Sequence, residues 1–287
     1  MTIDCETFPG DRAPRAVALH CSLGSGRQWA RLGEALAGTH RLLAPDICGY
    51  GANRGPVDLP TTLAREVELI GRDLGDAAGP FHLVGHSYGG AIAFKLATDS
   101  PFAAKIRSLT LIEPVLPTLL CDNAADQRLY DRFENLGQAI HADLWNGAFM
   151  EAIDRFTTFW NGSESREPLS AKTRLRMIEQ VERLAFDFMA GFAEQNVATA
   201  AARIGVPTLV MSGGLSPYLT QRIAYRLASI IPGATARHFP AAGHMLPITH
   251  ADQINREIVK HIGDAERRAT VPSLWADIIP LHRDAAE

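Results

Sequence analysis

The chain has 287 residues, enough for one large domain carrying an inserted smaller one, and enough to bury a sizeable core. Apolar residues make up 46% and charged residues 21%, which excludes collagen-like, low-complexity and disordered readings for the bulk of the chain. With 28 Lys+Arg against 32 Asp+Glu and no basic run, neither nucleic acid nor a membrane surface is expected as a partner.

The opening Met-Thr-Ile-Asp-Cys-Glu carries no positive cluster followed by an apolar stretch, and no segment approaches the length of a bilayer-spanning helix. A cytoplasmic protein is expected. Residues 2–8 can hold one leading strand. Six short, nearly all-apolar runs follow at 16–20, 41–45, 81–85, 108–112, 208–212 and 236–239. Gly, Pro or Asp bounds each, and each is too short for a buried helix, so they read as strands. Between them, 27–37, 63–78, 90–98 and 220–230 read as helices. Thr220 is placed as the N-cap of the last, and Ile231-Pro232-Gly233 as its stop. Strands alternating with helices predict an α/β fold around a mostly parallel sheet of about seven strands.

From 117 to 202 the alternation breaks down, with helical periodicity and no convincing strand, which predicts an inserted helical cap on a core of 1–116 and 203–287. Two stripes stand out there: Phe149, Ile153, Phe156, Trp160 and Val181, Leu184, Phe188, Phe192. Each can pack on the core while presenting apolar surface to a pocket. After Gly263 the chain turns polar, then ends in an apolar patch around Trp275, a tail that either packs back on the domain or supports a homo-oligomer. The cysteines, Cys5, Cys21, Cys48 and Cys121, lack CxxC spacing, so neither a disulfide framework nor a zinc site is indicated.

Gly85-His86-Ser87-Tyr88-Gly89 stands between a strand and a small-residue helix, the context of a nucleophile elbow. A sharp strand-to-helix turn needs small flanking residues and projects the serine hydroxyl at the helix N-terminus. A serine hydroxyl is a poor nucleophile until a base takes its proton. His244, in Ala242-Gly243-His244 after the last strand, is the expected base. Its competitors are weaker: His238 and His250 lack the Gly-His loop, and His86 is expected to point away from the site.

At the end of the first clear strand stands His20-Cys21-Ser22-Leu23-Gly24-Ser25. With Pro45-Asp46-Ile47-Cys48-Gly49-Tyr50-Gly51, the elbow and the Gly-His loop in order, residues 15–262 resemble the α/β-hydrolase superfamily. His20-Cys21 takes the place of the family's His-Gly pair, and the Asp46 loop matches its Asp-x-x-Gly-x-Gly. The resemblance implies oxyanion donors from the backbone amides of Ser22 and Tyr88, and a structural Asp46. The chain departs from the family at the acid: Gly213-Gly214-Leu215-Ser216-Pro217 has serine where aspartate is usual. Glu113, at the end of the preceding strand and fixed by Pro114, offers a substitute, as in certain haloalkane dehalogenases. A Ser87–His244 dyad assisted by Ser216 or water, or a purely structural Glu113, are the alternatives.

Serine at the elbow argues against the dehalogenases and epoxide hydrolases, which use aspartate there. The expected activity is hydrolysis of a small or medium carboxylic ester through an acyl-enzyme on Ser87, a chemistry that requires no metal or organic cofactor. Lactone, thioester, amide or carbon–carbon bond hydrolysis and perhydrolysis remain open on the same residues. A non-catalytic ligand-binding protein on this fold is the reading of a different class.

Overall fold

The computed structural model describes residues 15–53, 61–75, 79–161 and 170–270. Within them six strands form one parallel sheet: β1 (Arg15–Leu19), β2 (Arg41–Leu43), β3 (Phe81–His86), β4 (Ile106–Ile112), β5 (Thr208–Gly213) and β6 (Thr235–Phe239). Their order across the sheet is β2-β1-β3-β4-β5-β6. All six expected runs form strands. The seventh, placed at 2–8, lies outside the described residues, so the described sheet has six strands rather than about seven.

The helices are α1 (Ala30–Leu36), α2 (Leu63–Leu74), α3 (Tyr88–Thr98), α4 (Gln127–Trp145), α5 (Phe149–Asn161), α6 (Ala171–Ile178), α7 (Arg183–Ala193), α8 (Val197–Ala201), α9 (Tyr218–Ile230), α10 (Leu246–Thr249) and α11 (Ala251–Thr270). Successive strand residues point to opposite faces. In β1, Ala16 and Ala18 join a core under α1 and α11, while Val17 and Leu19 join the larger core under α2, α3 and α9. Helices on both faces explain why the central strands read as continuous apolar runs instead of alternating ones.

Local chemistry sets the boundaries. The Thr62 hydroxyl accepts from the Arg65 amide and starts α2, whose Leu63, Glu66, Val67, Ile70 and Leu74 are buried on one face. Gly75, at φ 68°, ends it.

Several boundaries correct the sequence reading. The helix expected from residue 27 opens with the 3-10 turn Gly26–Trp29 before α1. Thr220 is not the N-cap of α9: that helix starts at Tyr218 after Pro217, and Thr220 turns its hydroxyl inward. Val181 precedes α7 instead of lying in it. The polar stretch that begins after Gly263 is still helical as far as Thr270: Ile254, Ile258 and Ile262 keep one stripe of α11 on the sheet while Arg267 and Arg268 suit the negative end of its dipole.

Residues 117–202 join β4 to β5 through the 3-10 turn Pro117–Asp122 and α4 to α8, with no strand among the described residues. An aromatic cluster knits these helices together, the Phe133 ring lying 5.0 Å from that of Phe188 and 6.1 Å from that of Trp160. Among the described residues no helix is long and apolar enough to cross a membrane.

Ile258 is fully buried between α11 and the sheet. Ile258→Ala is expected to lower the unfolding free energy by about 2–5 kcal/mol. In urea titration the neighbouring Glu257→Ala, which removes only a half-exposed ion pair with Arg237, should cost less than about 1 kcal/mol. Equal midpoints for the two variants would contradict this packing.

Candidate active site

The singled-out residues all fall at the C-terminal ends of the parallel strands. Ser87 follows β3 directly, at φ 57° and ψ −120°, a strained conformation for a residue with a Cβ. Its amide donates to the Ile112 carbonyl (3.0 Å) and its carbonyl accepts from Val115 (3.2 Å), so the strain is held between β3 and the exit of β4. The flanking glycines are steric necessities. A Cβ on Gly85 would lie 2.4 Å from the Gly89 carbonyl oxygen, and one on Gly89 would lie 2.4 Å from that of His20.

His244 sits in the loop after β6 and meets both partners. Its Nε2 lies 3.0 Å from Ser87 Oγ and its Nδ1 lies 2.6 Å from Glu113 Oε2. A carboxylate only accepts, so Nδ1 carries the proton and the bare Nε2 accepts from the serine hydroxyl. The arrangement can therefore move the Ser87 proton onto His244. Glu113 directly follows β4, is fully buried, and has φ 43°. Its Oε1 accepts from the Gly213 amide (2.7 Å), and the Thr220 hydroxyl stands 3.3 Å from Oε2. Ser216, in the position where aspartate was expected, is buried, and its hydroxyl hydrogen-bonds to nothing among the described residues. The structure thus brings Glu113, and not Ser216, to His244.

Ser22 and Tyr88 line one small pocket with Ser87, and Tyr88 is the first residue of α3, where amides have no partner within the helix. Cys21 stands in place of glycine without strain, because the positive φ of this loop falls on Leu23 (55°). Burial pushes its thiol up to about 12. His20 braces two loops: its Nε2 accepts from the Ile47 amide at 2.9 Å, and burial lowers its pKa to about 4, so it stays neutral. Asp46 accepts from the Gly26 and Ala52 amides, both at 2.7 Å, and organises its own loop.

The sequence model for the alpha/beta hydrolase fold matches residues 17–251. The chain belongs to the α/β-hydrolase fold family. Among curated relatives, "Putative carbamate hydrolase RutD" of Klebsiella pneumoniae (strain 342) is 27% identical over 89% of this chain and 93% of its own. The dihydrolipoyllysine-residue acetyltransferase component of the acetoin cleaving system of Cupriavidus necator is 26% identical over 88% of this chain. This chain spans 65% of that protein's length. Among solved structures, MenH from S. aureus superposes with a TM-score of 0.73 at 19% identity, covering 90% of this chain and 97% of its own.

Within this α/β-hydrolase frame the structure adds residues that sequence reasoning missed. His86 does not point away from the site: its ring lies 4.9 Å from that of His244, and its Nε2 donates to the His244 carbonyl at 2.9 Å. The amide side chain of Gln28 completes the strut, donating to His86 Nδ1 (3.1 Å) and accepting from the Cys21 amide (3.2 Å). Burial first, and then neighbouring His244, push His86 well below the ordinary histidine range, which keeps it neutral in this role. From the insertion, Trp160 stacks on His244 with centroids 4.1 Å apart and planes 20° apart.

A second buried network ties α7 to the site. Asp187 Oδ2 accepts from Ser22 Oγ (2.5 Å) and from the Tyr50 hydroxyl (2.6 Å), while Oδ1 lies 3.1 Å from Arg183 Nε. Arg183 also pairs with Glu66 of α2 and reaches the Tyr88 hydroxyl (3.3 Å). One charged pair four residues apart in the otherwise apolar Arg183–Ala193 helix was the signal available in the sequence. A cavity of about 480 Å³ opens onto Ser87 and His244, with Leu23, Phe156, Trp160 and Met177 in its apolar wall. A smaller adjoining space, which also reaches Ser87 and is lined by Asp187, Phe133 and Phe188, holds only about 20 Å³.

Burial pushes Asp187 up to about 6 against the pull of Arg183. A carboxyl raised in the folded state stabilises fully below its unfolded value and loses that contribution as pH rises through about 6. Between pH 4 and pH 7 the unfolding free energy of the wild type should fall by about 2 kcal/mol relative to Asp187→Asn. Denaturant titrations at the two pH values check it, and parallel pH dependences would remove Asp187 as the titrating group.

Proposed function

We propose that this chain is a serine hydrolase acting on a small or medium carboxylic ester. The observation that carries the reading is the continuous hydrogen-bonded chain Glu113–His244–Ser87, 2.6 and 3.0 Å, ending on a serine held in a strained turn. Ser87 Oγ attacks the carbonyl carbon while His244 Nε2 takes its proton. Glu113 holds the ring in the required tautomer and stabilises the imidazolium that forms. The amides of Ser22 and Tyr88 receive the negative charge that develops on the carbonyl oxygen. His244 returns the proton to the departing alcohol, and a water activated by the same ring then releases the acid from Ser87.

Residues 117–202 act as the cap in this reading, with Trp160 and Phe156 closing the cavity over the serine. The two unequal spaces that both reach Ser87 support a substrate in which one of the two groups flanking the carbonyl is small. The name of the Klebsiella relative extends the candidates to carbamates, whose carbonyl carbon offers the same point of attack.

Incubation of the purified chain with a fluorophosphonate probe should give one adduct, located on Ser87 by peptide mass and lost in Ser87→Ala. Glu113→Gln should fold and lose turnover of short p-nitrophenyl esters by about 10³–10⁴-fold, the scale seen when a triad acid becomes an amide. Near-normal turnover in Glu113→Gln would remove the acid from the mechanism. A folded wild type that takes no adduct and cleaves no ester would favour a ligand-binding protein.

A further inference from the structure

At the opposite end of the sheet from Ser87, three side chains from distant parts of the sequence converge. His40 immediately precedes β2, His82 is the second residue of β3, and Glu266 lies in the last turns of α11. One ring nitrogen of each histidine and a carboxylate oxygen of Glu266 all lie within 4.8 Å of one another. Glu266 Oε1 is 3.2 Å from His40 Nε2 and 3.7 Å from His82 Nε2. Both histidine side chains are more than nine-tenths buried, while Glu266, at 31% exposure, leaves a path from solvent.

The hydrogen bonds behind the rings fix which atoms face inward. With the Thr39 hydroxyl proton on the Leu36 carbonyl (2.9 Å), the hydroxyl oxygen accepts from His40 Nδ1 (3.1 Å). In that tautomer a neutral His40 turns a bare Nε2 lone pair toward the carboxylate oxygen 3.2 Å away, the orientation a metal ligand needs. His82 Nδ1 lies 2.8 Å from Ser108 Oγ, a pairing set by the β3–β4 register, and its buried Nε2 has no hydrogen-bond partner. Two imidazoles oriented through Nδ1 by hydroxyls, with Nε2 turned to a shared point beside a carboxylate, are the donor set and outer support of a divalent metal centre.

We propose that His40, His82 and Glu266 form a binding site for a divalent ion of the zinc class, tying the entry to β2, the start of β3 and α11 together far from the hydrolytic residues. Bonds of about 2.0–2.1 Å to nitrogen place the corners of a zinc tetrahedron about 3.3 Å apart, close to the 3.2 and 3.7 Å that separate Glu266 Oε1 from the two rings. Three protein ligands leave the fourth position to water from the Glu266 side. Two histidines and one carboxylate suit zinc and its first-row neighbours and are poor ligands for calcium or magnesium.

The test uses the full chain after treatment with a chelator. Zinc added against a chromophoric competitor should bind at one equivalent and raise the melting temperature. Glu266→Gln, on a partly exposed helix position, and His40→Gln should each weaken binding by at least about tenfold and remove the thermal shift. Cobalt(II) gives a readout that does not depend on variants: visible bands of four-coordinate strength with two shifted histidine ring signals are expected. No thermal shift with zinc, undiminished zinc binding in Glu266→Gln, or the weak bands of six-coordinate cobalt would each overturn the proposal. The first of these results would identify a proton shared between His40 and Glu266 as the occupant.

Discussion

Glu113 places a carboxylate where no solvent reaches it, and a buried charge is tolerated only when hydrogen bonds and a partner replace the lost water. The replacements come from three directions: the Gly213 amide at the end of β5, the Thr220 hydroxyl in the first turn of α9, and the His244 ring after β6. Each supplier has to be in register for the others to fit. Gly213 can approach only because it lacks a Cβ, which would stand 2.3 Å from the Ala242 carbonyl oxygen. The same side chain that compensates the carboxylate faces Ser87, so the ends of β3 to β6 are committed to one geometry. The left-handed φ values of Ser87 and Glu113 are carried by that commitment.

Around this centre the protein spends polar groups on holding loops still. The path from the Cys21 amide through Gln28 and His86 to the His244 carbonyl joins the loop after β1 to the loop after β6. On the other side, Asp187 and Arg183 of α7 join Ser22 and Tyr50 of the core to Glu66 of α2. The second network brings the inserted helices into contact with Ser22 and Tyr88, two residues that line the small pocket at Ser87. Movement of α7 would therefore be felt at Ser22 through a single hydrogen bond. Trp160 makes a second connection by stacking on His244, so the insertion touches both that ring and the loop after β1 that holds Ser22.

What the sequence alone determined was whatever local sterics dictate. Short apolar runs bounded by Gly, Pro and Asp marked all six described strands, because a doubly covered parallel sheet needs nothing but apolar strands. Gly85-His86-Ser87-Tyr88-Gly89 marked the elbow, because only small residues fit beside so sharp a turn, and Gly243-His244 marked the loop that meets it. Helix ends were less legible. Thr220 looked like a cap, but its hydroxyl lies between the Pro217 carbonyl (3.0 Å) and a carboxylate more than 100 positions away in the chain (3.3 Å).

Tertiary structure decided which polar residues meet. Glu113 and His244 are 131 positions apart and Ser22 and Asp187 are 165 apart. No periodicity encodes such pairings, because side-chain pattern reports the face of an element and not the element packed against it. His86 shows the limit plainly: its neighbour Ser87 fixed its place on the elbow, yet only the packing of the β6 loop put a carbonyl within reach of its ring. His40, His82 and Glu266 are likewise unremarkable in sequence. They converge because β2 and β3 begin on the same edge of the sheet and α11 ends beneath it, a placement set by topology.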